Sequence, residues 1–256
     1  MRAFFAIARL AVTEIFRKKD FYAALILTAV ILFYASSLEF YNARNISRYL
    51  MEIGLLLIFL FSVILTVALA ARQYPSEIQN RTCHVLLAKP VSRMQFVTGK
   101  FAGAFLAGSS CFIIFYAVFL AVVWAKAGAL SWVLAFQAFY LFALNLAVVA
   151  AMASAFSYYL TLSASVSMTL VLYLLINTYG PGLKEASERL FWLSRWLGKA
   201  VYYLLPHFEF FDLRQRFIHD GGPIPLKLVA FLTGYAAVYT FIFLFLAWLK
   251  FRKESL

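Results

Sequence analysis

The chain has 256 residues, of which 64% are hydrophobic and only 13% are charged. Soluble domains carry about 25% charged residues, and their apolar residues recur in periodic stripes rather than in long unbroken runs. The composition therefore excludes an ordinary soluble domain. The runs predict an all-α, polytopic membrane protein with a single transmembrane domain over residues 1–256.

Six stretches are long and apolar enough to cross about 30 Å of hydrocarbon as helices. In chain order they are 21–38, 53–71, 101–124, 130–156, 160–179 and 227–249. The fourth and fifth run together because no charged residue separates them. One bent helix over both would place about 45 residues in hydrocarbon, more than one tilted crossing holds. We therefore expect a tight turn between Ser157 and Ser163.

Basic residues predict which ends of the spans face the cytoplasm. The first 20 residues, the segment 72–100 and the C-terminal tail together hold 13 of the 23 Lys and Arg residues but only 4 of the 11 acidic ones. Because Lys and Arg concentrate on the cytoplasmic side, we expect both termini and residues 72–98 to be cytoplasmic and residues 180–226 to lie outside the plasma (inner) membrane. Anionic headgroups then account for the net charge of +12, and no nucleic-acid partner is needed.

Residues 1–20 are amphipathic. At 100° per residue, Arg2, Arg9 and Arg17 share one face, and apolar side chains occupy the other. This pattern predicts an interfacial helix lying in the headgroup plane. The alternative is an extension of the first span, but a straight helix of about 36 residues would overshoot the bilayer.

A polar segment, "SEIQNRTCHVLLAKPVSRMQF" (76–96), interrupts the apolar runs. Ser76 with Gln79 and Ser92 with Gln95 each fit a capping box, and Pro90 breaks the chain between them. The sequence thus predicts a short helix from Ser76 to about residue 88, then a second helix that becomes the third span. A two-sided helix held just outside the membrane is typical of a docking element.

Small residues predict where helices pack closely. Gly99 and Gly103, followed by Ala107, have the spacing that lets a second helix approach in lipid. Asn145 is the strongly polar side chain deepest in a span. It could join two helices by a hydrogen bond or line a path through the membrane; both remain open, with helix packing favoured.

The predicted outer loop, 180–226, is not plain linker. Apolar residues recur every three or four positions at Leu183, Ala186, Leu190, Leu193 and Leu197, which predicts an amphipathic helix at the outer interface. The following stretch, "AVYYLLPHFEFFDL", is too short to cross. It either dips into the outer leaflet or caps the bundle.

Catalytic and metal sites are not indicated. Gly99-Lys100 and Gly198-Lys199 lack the upstream glycine of a P-loop, so the chain is predicted to be no enzyme and no ATPase. His207, Glu209 and Asp212 lie close in sequence, but a polar loop collects such residues by chance, and we predict no metal site.

The polar segment and the layout resemble the permease subunits of type-2 ATP-binding cassette (ABC) exporters. The matching positions are Glu77, Arg81-Thr82, Leu86-Leu87, Pro90 to Arg93, and Gly99-Lys100. The family more often has glycine where Arg81 stands. The layout resembles the family over the whole chain, whereas the motif covers about 25 residues of it.

The resemblance implies a role for each piece. The short helix would be the coupling helix that docks on a separate ABC ATPase subunit. Its expected contacts are Glu77, Ile78, Arg81 and Val85. Arg93 and Lys100 would touch headgroups or the ATPase surface. Two permease subunits, identical or different, would enclose the substrate path, with ATP and Mg held by the partner and no cofactor bound by this chain.

Other functions stay open at this point. A non-transporting membrane scaffold or assembly factor would need no ATPase docking surface. An ion channel is disfavoured because no charged or carbonyl-rich pore segment is evident. A P-loop protein encoded beside this chain would favour the transporter. The sequence does not indicate the substrate.

Overall fold

The computed structural model describes residues 43–79, 92–127, 131–188, 204–218 and 221–253, together with helical positions 13, 22–23, 26 and 30. Six α-helices lie in this part: α1 Ala43–Gln79, α2 Arg93–Ala127, α3 Trp132–Ser157, α4 Leu162–Glu188, α5 Arg214–Ile218 and α6 Leu226–Lys253. A 3-10 turn, Phe208–Phe211, precedes α5. The described residues form no strand, as the all-α prediction requires.

Five helices are long and apolar enough to span a membrane: Met51–Pro75, Arg93–Ala125, Trp132–Ser157, Leu162–Tyr179 and Leu226–Arg252. They match the second to sixth predicted spans. The predicted first span, 21–38, and the interfacial helix, 1–20, lie outside the described residues except for the single helical positions. The multi-pass architecture is therefore confirmed, and the count of six remains a prediction.

The spans alternate in direction, so the bundle has two ends. Aromatic rings from α1, α2, α6 and the α3–α4 turn meet at one end: the centroids of Tyr74 and Tyr158 are 4.0 Å apart, and Phe96 stacks on Phe251 at 5.3 Å. We call this the Phe251 end. At the opposite end, the Arg214 end, the segment 204–218 contacts α1, α3 and α4. The stretch around Pro206 therefore caps the bundle.

α3 is the central helix, since it contacts α1, α2, α4, α5, α6 and the 3-10 turn. Its small residues explain how so many neighbours approach. Ala150, Ala151 and Ala153 are fully buried. Gln137 fastens the turn before α6 onto α3: its Nε2 donates to the Ile224 carbonyl at 2.9 Å, and its Oε1 accepts from the Ile224 N–H at 2.8 Å.

The predicted turn between the fourth and fifth spans is confirmed. α3 ends at Ser157 and α4 begins at Leu162. The N–H groups of Tyr158 and Tyr159 donate to the carbonyls of Ala155 and Phe156, which tightens the last turn of α3. A helix end closed in this way needs no charge or proline to stop it.

The predicted start of a helix at Ser76 is wrong. α1 continues through Pro75 to Gln79 without interruption. Proline removes one backbone hydrogen bond from a helix interior. One further helical turn nevertheless follows Pro75. At 1.5 Å per residue the 37 residues of α1 extend about 55 Å. Because the bilayer core is about 30 Å thick, α1 extends past it.

α1 and α2 approach each other closely at Gly108. A Cβ atom added there would clash with the Oγ1 of Thr66 and lie 3.0 Å from its Cβ. Gly99, Gly103 and Ala107, the residues singled out in the sequence, are buried on the same helix. The glycine that the packing requires thus lies beyond the predicted small-residue motif.

We expect Gly108→Ala to destabilise the bundle by about 1–3 kcal/mol, the usual cost of overpacking. The matched control is Gly234→Ala in α6, where an added Cβ meets nothing within 4 Å and alanine should gain up to about 1 kcal/mol of helix propensity. Thermal unfolding of the purified variants in detergent measures both. Equal melting temperatures for the two variants would contradict the close approach.

Candidate functional site

The helix that follows the polar segment starts as predicted from the sequence. The Ser92 hydroxyl oxygen accepts from the Gln95 N–H at 3.2 Å, and the Gln95 Oε1 accepts from the Ser92 N–H at 3.2 Å. These two bonds form the reciprocal capping box. The start of α2 is therefore fixed at the Phe251 end.

Arg93 joins this start to the end of the last helix. Its Nη1 donates to the carbonyls of Phe251 and Arg252 at 2.7 and 3.0 Å, and its guanidinium lies 5.6 Å from the Phe251 ring centroid. The last carbonyls of a helix have no partner within the helix. A cation there also interacts favourably with the negative end of the helix dipole. Arg93 therefore connects two helices, a role in addition to the contact with headgroups or the ATPase surface that was predicted for it.

Lys100 is placed differently from the prediction. It is 3% exposed, and its Nζ lies 6.0 Å from the Phe96 ring centroid. An ammonium group buried among protein atoms is not presented to lipid headgroups. Of the predicted docking residues, Glu77 and Ile78 lie on the last turn of α1, while Arg81 and Val85 fall outside the described residues.

A cavity of about 270 Å³ opens near the Arg214 end between α1, α3, α4 and the segment 204–218. Its five polar lining residues are Asn145, Tyr173, Asn177, Asp212 and Arg214. The other lining residues are leucines and phenylalanines. A mixed lining of this kind is typical of ligand pockets, in which a few polar groups orient a mainly apolar ligand.

Asn145 both joins two helices and lines this cavity. Its Nδ2 donates to the Tyr173 hydroxyl at 3.2 Å, which links α3 to α4. Its Oδ1 makes no hydrogen bond with any residue the structure describes, although the side chain is only 3% exposed. The bond to Tyr173 is an interhelical contact of the kind that the sequence favoured for Asn145.

Asp212 and Arg214 form the charged part of the cavity wall. The Nε and Nη2 of Arg214 donate to the Asp212 carboxylate at 2.6–3.0 Å, and the Arg214 backbone N–H donates to the same group at 2.9 Å. The guanidinium lies 5.8 Å from the Phe59 ring centroid. Burial lowers the pKa of Arg214, but its hydrogen bond and charge contact with Asp212 outweigh that effect and raise the pKa. Arg214 is therefore permanently charged and already neutralised.

Two of the three residues considered as a metal site in the sequence, His207 and Asp212, have different partners in the structure. The His207 N–H and Nδ1 lie 2.8 and 3.1 Å from the Tyr235 hydroxyl, and burial lowers the pKa of its imidazole. Asp212 is paired with Arg214 instead. Within the described residues, no three His, Cys, Asp or Glu side chains are grouped so as to hold a metal ion. The sequence did not identify Arg214 as a site residue, because neither its spacing nor its neighbours in sequence indicate a binding site.

The sequence model of one protein family, described as ABC-2 family transporter protein, matches residues 5–256 of the chain. The chain belongs to the ABC-2 transporter family. The search against curated proteins gave no match. The family assignment confirms the resemblance seen in the polar segment and makes the chain a membrane subunit of an ABC transporter, a class of permease that generally works with an ATPase subunit.

Proposed function

We propose that this ABC-2 family protein exports a substrate across the plasma membrane, driven by a separate ABC ATPase that binds ATP and Mg. Two permease subunits pair around the substrate path, and both termini of each are cytoplasmic. The ATPase docks on the segment that joins α1 to α2, with Glu77, Ile78, Arg81 and Val85 as its contacts. The chain itself contributes no catalytic group.

One observation carries this proposal: the ends of three spanning helices, α1, α2 and α6, contact one another next to that segment. α1 continues past Pro75 to Gln79, the Ser92 capping box fixes the start of α2, and Arg93 binds the end of α6. Residues 80–91 thus lie between the end of α1 and the capped start of α2. In the proposed mechanism, a force that the ATPase applies to this segment moves α1, α2 and α6 together.

Charge supports a cytoplasmic position for the Phe251 end. Arg72, Arg93 and Lys100 lie near this end of α1 and α2, and Lys250 and Arg252 lie near the end of α6. Lys and Arg are enriched on the cytoplasmic side of membrane proteins. An ATPase that uses cytoplasmic ATP would reach this end and no other.

Arg93→Gln should lower the free energy of unfolding by about 1–2 kcal/mol, because two charge-assisted hydrogen bonds to the α6 carbonyls are lost from a partly exposed site. It should also weaken the stimulation of the partner ATPase by the permease. Thermal unfolding and ATPase rates of the reconstituted complex measure the two effects.

Arg216→Gln is the matched control, since Arg216 is an exposed arginine at the opposite end. It should leave the melting temperature and the ATPase rate unchanged. Wild-type stability and coupling in Arg93→Gln would show that the link between α2 and α6 is dispensable.

Copurification tests the proposed function itself. The tagged permease should retain an ABC ATPase encoded beside it, and the complex should hydrolyse ATP in lipid nanodiscs. A non-transporting scaffold would show no dependence on ATP. A stable complex without an ATPase, active in its cellular role when ATP hydrolysis is blocked, would contradict the transporter.

A further inference from the structure

We propose that a groove at the Phe251 end binds one anionic phospholipid, with an acyl chain between the α3–α4 turn and α6 and the phosphate beside Lys250. This lipid is a bound partner of the chain and not its cargo. The inference does not depend on the proposed export function.

The groove is apolar and opens on the outside of the bundle. It has a volume of about 350 Å³. Leu160 and Leu246 line it and are 39% and 41% exposed, so it faces the surroundings of the bundle rather than its interior. The other lining residues are Ala155, Phe156, Tyr159 and Phe243. We call it the Tyr159 groove.

Interfacial residues give the depth of the Tyr159 groove in the bilayer. Tyrosine and tryptophan rings prefer headgroup depth, and Tyr159 and Trp248 lie beside Lys250 and Arg252 at this end. Phe243 precedes Lys250 on α6 and lies about 10 Å further from this end, at 1.5 Å per residue. An acyl chain that begins below a phosphate at Lys250 therefore runs along the groove.

The wall of the groove is held in place without a ligand. The Tyr159 hydroxyl donates to the Leu246 carbonyl at 2.9 Å, which joins the α3–α4 turn to α6. The Tyr159 ring is thereby fixed across from the α6 side chains. A site formed before its ligand arrives binds at a lower cost in conformational entropy.

Lys250 supplies a positive charge next to the groove. Its Nζ lies 6.0 Å from the Tyr159 ring centroid, and Leu246 lies one helical turn before it on the same face of α6. Among the described residues, no carboxylate forms an ion pair with this ammonium group. Arg214 differs in this respect, because Asp212 neutralises it.

The combination of an apolar groove and a cation favours a phospholipid as the occupant. An anionic phospholipid supplies both an acyl chain for the groove and a phosphate for Lys250. A purely apolar helix seated on the same face would cover the ammonium group without giving it an anion, which is unfavourable. The charge therefore selects the lipid over another apolar helix.

Photolabelling of the full chain in phosphatidylcholine nanodiscs tests the site. The probe is a phosphatidylglycerol with a diazirine in one acyl chain, and the matched probe is a phosphatidylcholine with the same chain. We expect phosphatidylglycerol to label residues 155–160 and 243–246 about fivefold more, the ratio given by roughly 1 kcal/mol. Excess unlabelled phosphatidylglycerol should abolish this labelling, whereas glycerophosphate, which has no acyl chain, should not.

Two variants separate the charge from the groove. Lys250→Gln should remove the preference for phosphatidylglycerol, and Leu160→Trp should reduce labelling by both probes because the larger ring fills the groove. Arg252→Gln is the matched control. It removes the same charge from the same end of α6, but Arg252 is exposed and lies about 200° around the helix from Lys250, with its guanidinium 5.5 Å from the Trp248 ring centroid. It should label like the wild type.

A preference that survives Lys250→Gln, or that is lost equally in Arg252→Gln, would overturn the site and assign any preference to the general positive charge of this end. Equal labelling by both probes would overturn it in favour of unspecific lipid contact. No labelling by either probe would overturn it by showing that protein, either residues 21–38 or a second copy of the chain, covers the groove. The assay uses neither ATP nor an ATPase, so these results are independent of the copurification that tests the export function.

Discussion

Glu77→Arg is expected to abolish ATPase coupling while leaving the protein folded and inserted in the membrane. Glu77 lies on the last turn of α1, which reaches it directly from the span. Reversing one charge of a docked pair replaces attraction by repulsion, and like-charge juxtaposition at an interface costs several kcal/mol. We expect at least about a tenfold loss of ATPase affinity, equivalent to 1.4 kcal/mol.

The measurement is the amount of ATPase retained per permease on copurification, together with the ATPase rate of the reconstituted complex. Glu209→Arg makes the same charge change near the Arg214 end, on a partly exposed side chain, and should bind the ATPase normally. Full ATPase binding and activity by Glu77→Arg would remove Glu77 from the docking surface. Loss of the variant from the membrane fraction would mean that Glu77 supports the fold instead.

Asp212→Ala is expected to give the largest loss of stability, about 2–4 kcal/mol. Asp212 and Arg214 have side chains 25–26% exposed, and removing one partner leaves the other charge desolvated against Phe59. The double variant Asp212→Ala/Arg214→Met removes both charges and keeps much of the packing, so it should recover most of the lost stability. Thermal unfolding and resistance to proteolysis measure the three proteins.

A double variant as unstable as Asp212→Ala alone would show that the carboxylate acts otherwise, for example only through the bond that it accepts from the Arg214 backbone N–H. The variant Asp212→Asn separates these possibilities. It keeps a neutral acceptor for that bond and loses the charge, so its stability should fall between those of the wild type and the alanine variant.

Features encoded within a few residues of sequence were predictable. The apolar runs located five spans that the structure contains, because backbone hydrogen bonds must be satisfied inside a helix when no water is present. The Ser92 capping box was readable since both bonds join residues three apart. The turn after Ser157 followed from the length that one crossing can have.

Features that depend on distant residues were not predictable. Arg93 appeared as a surface cation because its acceptors lie 158 and 159 residues away in sequence. The course of α1 through Pro75 depends on packing rather than on local propensity: Tyr74 beside it stacks on Tyr158 and meets Phe251 at 5.8 Å. The hydrogen bond of Asn145 was not predictable either, because its partner Tyr173 lies 28 residues away in sequence.

Thiol accessibility tests the central claim most directly, namely that the segment joining α1 to α2 faces the ATPase side of the membrane. The chain has two cysteines; Cys111 is buried in α2, so Cys83 in that segment is the expected target. A membrane-impermeant maleimide should label Cys83 only after the cells are permeabilised. A cysteine introduced by Leu204→Cys near the Arg214 end, where the leucine is 78% exposed, should react in intact cells. Labelling of Cys83 in intact cells would place the segment outside and contradict the account.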